Sequence, residues 1–109
     1  MSSVFRGDIC AFRPARASAG HEQRGPRFAV VLQSNEFEWL NTIVVAPTST
    51  AAQPAVFRPE LVLKGKRTRV LLDQVVTADR SRLGAVVGRL EPSELTEIER
   101  SLRHVLSLF

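Results

Sequence analysis

The chain has 109 residues, 44% of them apolar and 24% charged, with 15 Lys/Arg against 11 Asp/Glu, a net charge of +4 and an isoelectric point near 10.6. That length fits a single domain spanning residues 1–109 with a hydrophobic core of its own, and the composition argues against a largely disordered chain. One cysteine, Cys10, allows neither an internal disulfide nor a cysteine-built metal knuckle, and no apolar run approaches the roughly 18 residues needed to cross a bilayer.

A cytoplasmic protein with no membrane partner is therefore expected, since a lone thiol suits a reducing compartment and no signal-like apolar stretch opens the chain. The charge is unevenly placed. Residues 1–90 carry 13 Lys/Arg against 7 Asp/Glu, while residues 91–109 carry 2 against 4. A basic body with an acidic end segment suggests a polyanion partner, RNA or DNA first, or else an arginine usage, 13 Arg to 2 Lys, that reflects a GC-rich coding bias alone.

Asp8-Ile9-Cys10-Ala11-Phe12 reads as a short strand, halted by Arg13-Pro14. Cys10 inside it reads as a buried, inert thiol. A long basic loop follows, from Arg13 to Arg27. It holds four arginines, His21, Glu22 and Gln23, punctuated by Gly20 and Gly25. Structureless connections of this length inside a small domain are usually functional or disordered. Arginine is the side chain suited to bidentate phosphate binding.

Phe28–Leu32 reads as the second strand. Phe37 and Trp39 come next and are expected to pack in the barrel or in a dimer, with stacking on unpaired nucleic-acid bases as the other reading. Thr42–Ala46 is the third strand, expected to stop at Pro47, with three hydroxyls behind it on Thr48, Ser49 and Thr50. Val56–Leu63 alternates around Pro59, so it reads as an edge or bulged strand. The basic turn Lys64-Gly65-Lys66-Arg67-Thr68-Arg69 fits two roles equally, steering nucleic acid or protecting a sheet edge with charge. Arg69–Asp73 and Ala85–Gly88 complete the strands.

The end of the chain changes period. Pro92 suits a first helical turn, and Glu91, Glu94 and Glu97 place negative charge where the helix dipole favours it. Leu95, Ile98, Leu102, Val105, Leu106 and Phe109 recur at helical spacing. Such a helix of about 17 residues spans roughly 25 Å. His104 on it reads as a surface residue. Short strands with one terminal helix indicate a mainly β (α+β) fold, a small antiparallel barrel with a C-terminal amphipathic helix.

Taken in order, these pieces resemble the MazF/PemK family of toxin ribonucleases. The resemblance rests on Arg6-Gly7-Asp8-Ile9, on the loop Gly20-His21-Glu22-Gln23-Arg24-Gly25-Pro26-Arg27, and on the strand Phe28–Leu32. It continues through Val45-Ala46-Pro47-Thr48-Ser49-Thr50, through Leu72-Asp73-Gln74-Val75 with Thr77 and Asp79, through Arg82-Leu83-Gly84, and through Leu90–Leu95. It runs from about Arg6 to Leu108. This chain has Arg27-Phe28 where the family usually has Arg-Pro, which keeps the arginine and changes how stiffly the loop enters the strand.

The resemblance implies an SH3-like barrel of the MazF/CcdB kind, a homodimer, and a cognate antitoxin that blocks the site. It implies sequence-specific, metal-independent cleavage of single-stranded RNA without a cofactor, which stops translation and growth. The 2′-OH would attack the adjacent phosphorus and leave 2′,3′-cyclic phosphate and 5′-OH ends. Arg27, Ser49 and Glu22 are the implied catalytic residues. His21, Gln23, Arg24, Thr48 and Thr50 are the implied RNA contacts. A one-residue slip in the alignment would move the catalytic hydroxyl from Ser49 to Thr48 or Thr50. Arg27 is suited to stabilising the crowded phosphorane, and a guanidinium, which stays charged in proteins, makes a poor proton donor. Two other readings are a same-fold toxin that poisons DNA gyrase by binding it, and a non-catalytic nucleic-acid-binding barrel. The chain ends Leu106-Ser107-Leu108-Phe109, without the tryptophan typical of the gyrase poisons.

Overall fold

A computed structural model describes residues 3–13 and 27–108. Seven strands and one α-helix follow in chain order: β1 (Asp8–Phe12), β2 (Phe28–Val31), β3 (Thr42–Ser49), β4 (Glu60–Leu63), β5 (Lys66–Val70), β6 (Val76–Asp79), β7 (Leu83–Arg89) and α1 (Pro92–Leu106). All pairings are antiparallel. The sheet order is β4-β5-β3-β2-β1-β7, with β6 also on β3. The expected mainly β architecture with a terminal helix is the one observed: a curled antiparallel half-barrel with α1 packed on it.

Two apolar clusters form because alternate residues of a strand point to opposite faces. One gathers Cys10, Phe12, Ala29, Val31, Ile43, Val45 and Ala78. The other gathers Ile9, Val30, Leu32 and Ala46 with Leu61, Leu63, Val70 and Leu72 of the second hairpin, and with Leu90 and Ile98 at the helix. Cys10 is fully buried, as expected. Burial, with the nearby Asp8 charge second, pushes its thiol up to about 11, so it stays protonated and unreactive at neutral pH.

Four details differ from the sequence reading. β3 continues through Pro47 to Ser49. The same edge of β3 pairs with β6 at Thr42–Val45 and with β5 at Thr48–Ser49, so Pro47 falls in the gap. Its missing N–H costs no ladder bond there, while its carbonyl accepts from the Leu71 N–H at 2.9 Å. The fourth strand is Glu60–Leu63, with a turn at Val56–Arg58 in front of Pro59. The fifth is Lys66–Val70, and a 3-10 turn occupies Leu72–Gln74. β6 is an additional strand whose one buried residue is Ala78.

The β4–β5 hairpin closes on a two-residue turn, with Lys64 at φ 52 and Gly65 at φ 78. Two consecutive left-handed residues are the geometry that matches strand twist, and glycine carries the second without strain. Helix α1 starts with a capping box between Glu91 and Glu94 and ends at Ser107 in the left-handed conformation. It docks through Ile98, 1% exposed, with Leu95 and Leu102 against the same cluster, whereas Val105 and Leu106 stay exposed. No helix among the described residues is long and apolar enough to cross a membrane.

Candidate active site

Arg27 is the last residue before β2, and the ladder fixes where it stands. The Phe12 N–H donates to the Arg27 carbonyl at 2.9 Å, extending the β1–β2 register of Ala11 with Phe28. On the other side Ala29 pairs with Pro47. Two residues further along that register, Arg27 comes level with Ser49. Directly opposed residues share a face and hold their Cβ atoms about 4.5–5.5 Å apart. Arg27 and Ser49 are thus brought to one end of the sheet from 22 positions apart in sequence. Arg27 is half-buried, with its Nε enclosed.

The three hydroxyls behind Pro47 fall in three environments. Thr48 is 4% exposed on the side of the larger cluster, and its Oγ1 donates to the Phe28 carbonyl at 3.0 Å, tying β3 to β2. Ser49 points to the opposite face, 4% exposed, and its Oγ accepts from the Ala51 N–H at 3.1 Å. Thr50 is exposed just past the strand. Glu22, His21, Gln23 and Arg24 lie outside the described residues.

Two further arginines join this end. The Arg82 guanidinium sits 4.8 Å from the centre of the Phe12 ring, and Phe12 is the residue opposite Arg27. Arg82 Nε donates to the Arg13 carbonyl at 2.7 Å, and Arg13 donates to the Ser81 carbonyl at 3.0 Å. Three cations, Arg13, Arg27 and Arg82, therefore border one end of the half-barrel, where a phosphate would be held from several directions. Arg82 was visible in sequence only as part of Arg82-Leu83-Gly84. The glycine in that triplet lets β7 approach β1, because a Cβ there would lie 3.1 Å from the Ala11 Cβ. Nearby, the Asp79 carboxylate accepts from the Ser81 N–H at 2.9 Å, which holds its pKa below the ordinary value.

The connection between β3 and β4 is braced from outside. Arg58 forms a two-pronged pair with Asp73, at 3.2 and 2.9 Å, and donates to the Gln53 carbonyl at 3.1 Å. The hydrogen bonds from Arg58 hold the Asp73 carboxyl below its usual range. This gives Leu72-Asp73-Gln74 a structural task, anchoring the segment that leaves Ser49.

Phe37 and Trp39 do not pack into the barrel. They project from the connection between β2 and β3, 44% and 73% exposed, and Arg80 braces that connection through the carbonyls of Phe37 and Leu40. This tip lies at the other end of the β2–β3 pair from Arg27. His104 is exposed on α1, as expected. Among the described residues no three His, Cys, Asp or Glu side chains gather so as to hold a metal ion.

Comparison with known proteins shows the family and the fold. The profile of the family described as "PemK-like, MazF-like toxin of type II toxin-antitoxin system" matches residues 5–106. The chain is 41% identical over 106 residues to the Mycobacterium tuberculosis protein named "Putative toxin Rv3098A", covering 96% of this chain and 99% of that one. MazF from Deinococcus radiodurans superposes with a TM-score of 0.80 at 24% identity, over 99% of this chain and 100% of that chain. An endoribonuclease from a mycobacterial species, solved in complex with its cognate antitoxin, superposes with a TM-score of 0.81 at 16% identity, over 98% of both chains. Those two likenesses establish a MazF-like fold. With the profile match across nearly all of the chain and the 41% identical relative, the protein belongs to the PemK/MazF toxin family of type II toxin–antitoxin systems.

Proposed function

We propose that the protein is an endoribonuclease toxin that cuts single-stranded RNA at short sequences, without a metal ion or cofactor, and is neutralised by a cognate antitoxin. It acts in the cytoplasm as a homodimer, and cleavage of cellular RNA, mRNA first, stops translation. The observation that carries the reading is the opposition of Arg27 and Ser49 at one end of the half-barrel, with Arg13 and Arg82 beside them. Family membership supports the reaction class. The antitoxin-bound structures of similar fold support the partner.

In the proposed reaction the 2′-oxygen loses its proton to Glu22 and forms a bond to phosphorus. The bond from phosphorus to the 5′-oxygen breaks, and that oxygen takes up a proton. The products are a 2′,3′-cyclic phosphate and a 5′-OH. Arg27 is a fixed cation aimed at the charge that builds on the phosphorane, and Ser49 holds a non-bridging oxygen of the same phosphate. His21, whose unperturbed pKa is about 6.5, is suited to protonate the leaving oxygen. Gln23, Arg24 and Thr50 contact the strand on either side. Thr48 serves from beneath, by holding the Phe28 carbonyl next to Arg27.

The test is cleavage of a long single-stranded RNA in EDTA by the purified protein, with the ends mapped. Cutting with cyclic-phosphate ends is expected, and Arg27→Ala should abolish it. Retained cleavage by Arg27→Ala would sink the site assignment. Cutting of a substrate with 2′-deoxy at the scissile position would exclude attack by the 2′-OH. If no RNA is cut and gyrase is inhibited instead, the binding-toxin reading replaces this one.

A further inference from the structure

The register that sets Arg27 level with Ser49 continues past Ser49. On the other side of β3, Ser49 pairs with Arg69 of β5, and Arg69 pairs with Glu60 of β4. Phe12 stands opposite Arg27, and Leu83 opposite Phe12. One row thus crosses the sheet in the order Leu83, Phe12, Arg27, Ser49, Arg69, Glu60. Residues directly opposed across strands share a face. The burial of β5 agrees: Thr68 and Val70, on either side of Arg69, are buried on the opposite face, where Val70 joins the larger cluster. Neighbouring strands lie about 4.8 Å apart, so Arg27 and Arg69 flank Ser49 with their Cα atoms roughly 10 Å from each other.

Arg69 is held in a way that suits a binding group. Its Nη1 donates to the Arg58 carbonyl at 2.9 Å and its Nη2 to Glu60 Oε1 at 3.1 Å. Among the described residues these bonds engage part of its set of N–H donors, which fixes the plane of the guanidinium and leaves donors for a ligand. β5 is paired on both sides at this position, so Arg69 does not guard a sheet edge. Its charge is not cancelled either. Glu60 lies 3.1 Å from Arg69 and 3.8 Å from Arg67, so two cations share one carboxylate and the group stays positive. The row therefore sets a cation on each side of the Ser49 hydroxyl, with the Arg82 guanidinium over the Phe12 ring beyond Arg27.

We infer that Arg69 is a further RNA-binding residue, which holds the phosphate next to the one at Arg27 and Ser49, so that the RNA backbone crosses the strands along this row. The inference rests on the proposed ribonuclease reading. Such a contact adds affinity and fixes the position of the strand without reading bases.

The probe is a single-stranded RNA with the mapped cleavage sequence at its centre and 2′-deoxy at the scissile position. Binding is measured across salt concentrations. Arg69→Gln should lower the slope of log Kd against log salt by about 1 and weaken binding roughly 5-fold at 0.15 M salt. Glu60→Gln breaks the same ion pair and leaves the cation in place, so it should bind RNA at least as tightly as the wild type. Equal losses in these two variants would mean that the pair serves only the fold, and would overturn the inference. Arg100→Gln breaks a comparable exposed pair, with Glu97, and removes the same charge from α1. A loss there equal to that of Arg69→Gln would mean a general charge effect and overturn it too. Circular dichroism checks that each variant folds. Neutral methylphosphonates placed one at a time along the RNA locate the contact. One beside the scissile phosphate should weaken the wild type and leave Arg69→Gln no weaker than before. Coupling at neither flanking phosphate, in a protein that still cuts RNA, would overturn the inference. A wild type that neither cuts nor binds RNA would instead fail the ribonuclease reading itself.

Discussion

Replacing the hydroxyls behind Pro47 one at a time should separate structure from chemistry. Thr48 Oγ1 is buried and donates to the Phe28 carbonyl at 3.0 Å. Thr48→Val keeps the shape and removes that bond, leaving the carbonyl in an apolar setting. A buried neutral hydrogen bond lost in this way costs about 1–2 kcal/mol. In a domain of this size that lowers Tm by roughly 4–10 °C. Ser49→Ala gives up the bond from the Ala51 N–H near the end of the strand, a loss of about 0.5–1 kcal/mol for that bond. If Ser49 holds a phosphorane oxygen, cleavage should nevertheless fall on the order of 100- to 1,000-fold. The assay pairs thermal melts with single-turnover cleavage of a fluorogenic RNA. Thr48→Val that melts normally yet does not cut, or Ser49→Ala that cuts at the wild-type rate, would refute this division of roles.

Cys10 supplies a pH dependence with a definite sign. Its thiol pKa is raised to about 11 in the folded state, above the 8.5 or so of an unfolded chain, so folding is favoured most below the unfolded value. Stability should fall between about pH 8.5 and 11, by roughly 3 kcal/mol in all, and Cys10→Ala should remove that part of the alkaline loss in denaturant titrations. A thiol reagent should label Cys10 at pH 8 only as fast as the protein unfolds. Rapid native-state labelling would contradict its burial. Ile98, 1% exposed beneath α1, is the helix's main anchor. Ile98→Ala should cost about 2–4 kcal/mol in denaturant unfolding. A loss under 1 kcal/mol would mean the helix is held by other contacts.

Much of the architecture was legible because it depends on local pattern. Asp8–Phe12, Phe28–Leu32 and the helix from Pro92 are written as apolar runs and as a helical stripe, and each falls within a residue or two of its place. The Lys64-Gly65 turn was visible from its glycine. The amino-acid order also carried the ordered motifs that point to the family, and it placed Arg27 and Ser49 among the candidates. Glu22 and its loop neighbours rest on the sequence alone.

What only the tertiary structure decided are matters of pairing. Pro47 reads locally as a strand stop. It is tolerated because β3 changes partners there and the missing donor faces a gap. β6 has one buried residue, too little apolar pattern to announce itself, and forms because β3 offers it an edge. Phe37 and Trp39 look like core by composition, yet they sit on a turn beyond the ends of the strands. The hydroxyls of Thr48, Ser49 and Thr50 are adjacent in sequence and nearly equivalent in chemistry. Alternation across a pleated strand buries one in the ladder, turns the next toward Arg27 and leaves the third in solvent. The sequence determined which groups were available; cross-strand register, set by packing on both faces of the sheet, decided which of them meet.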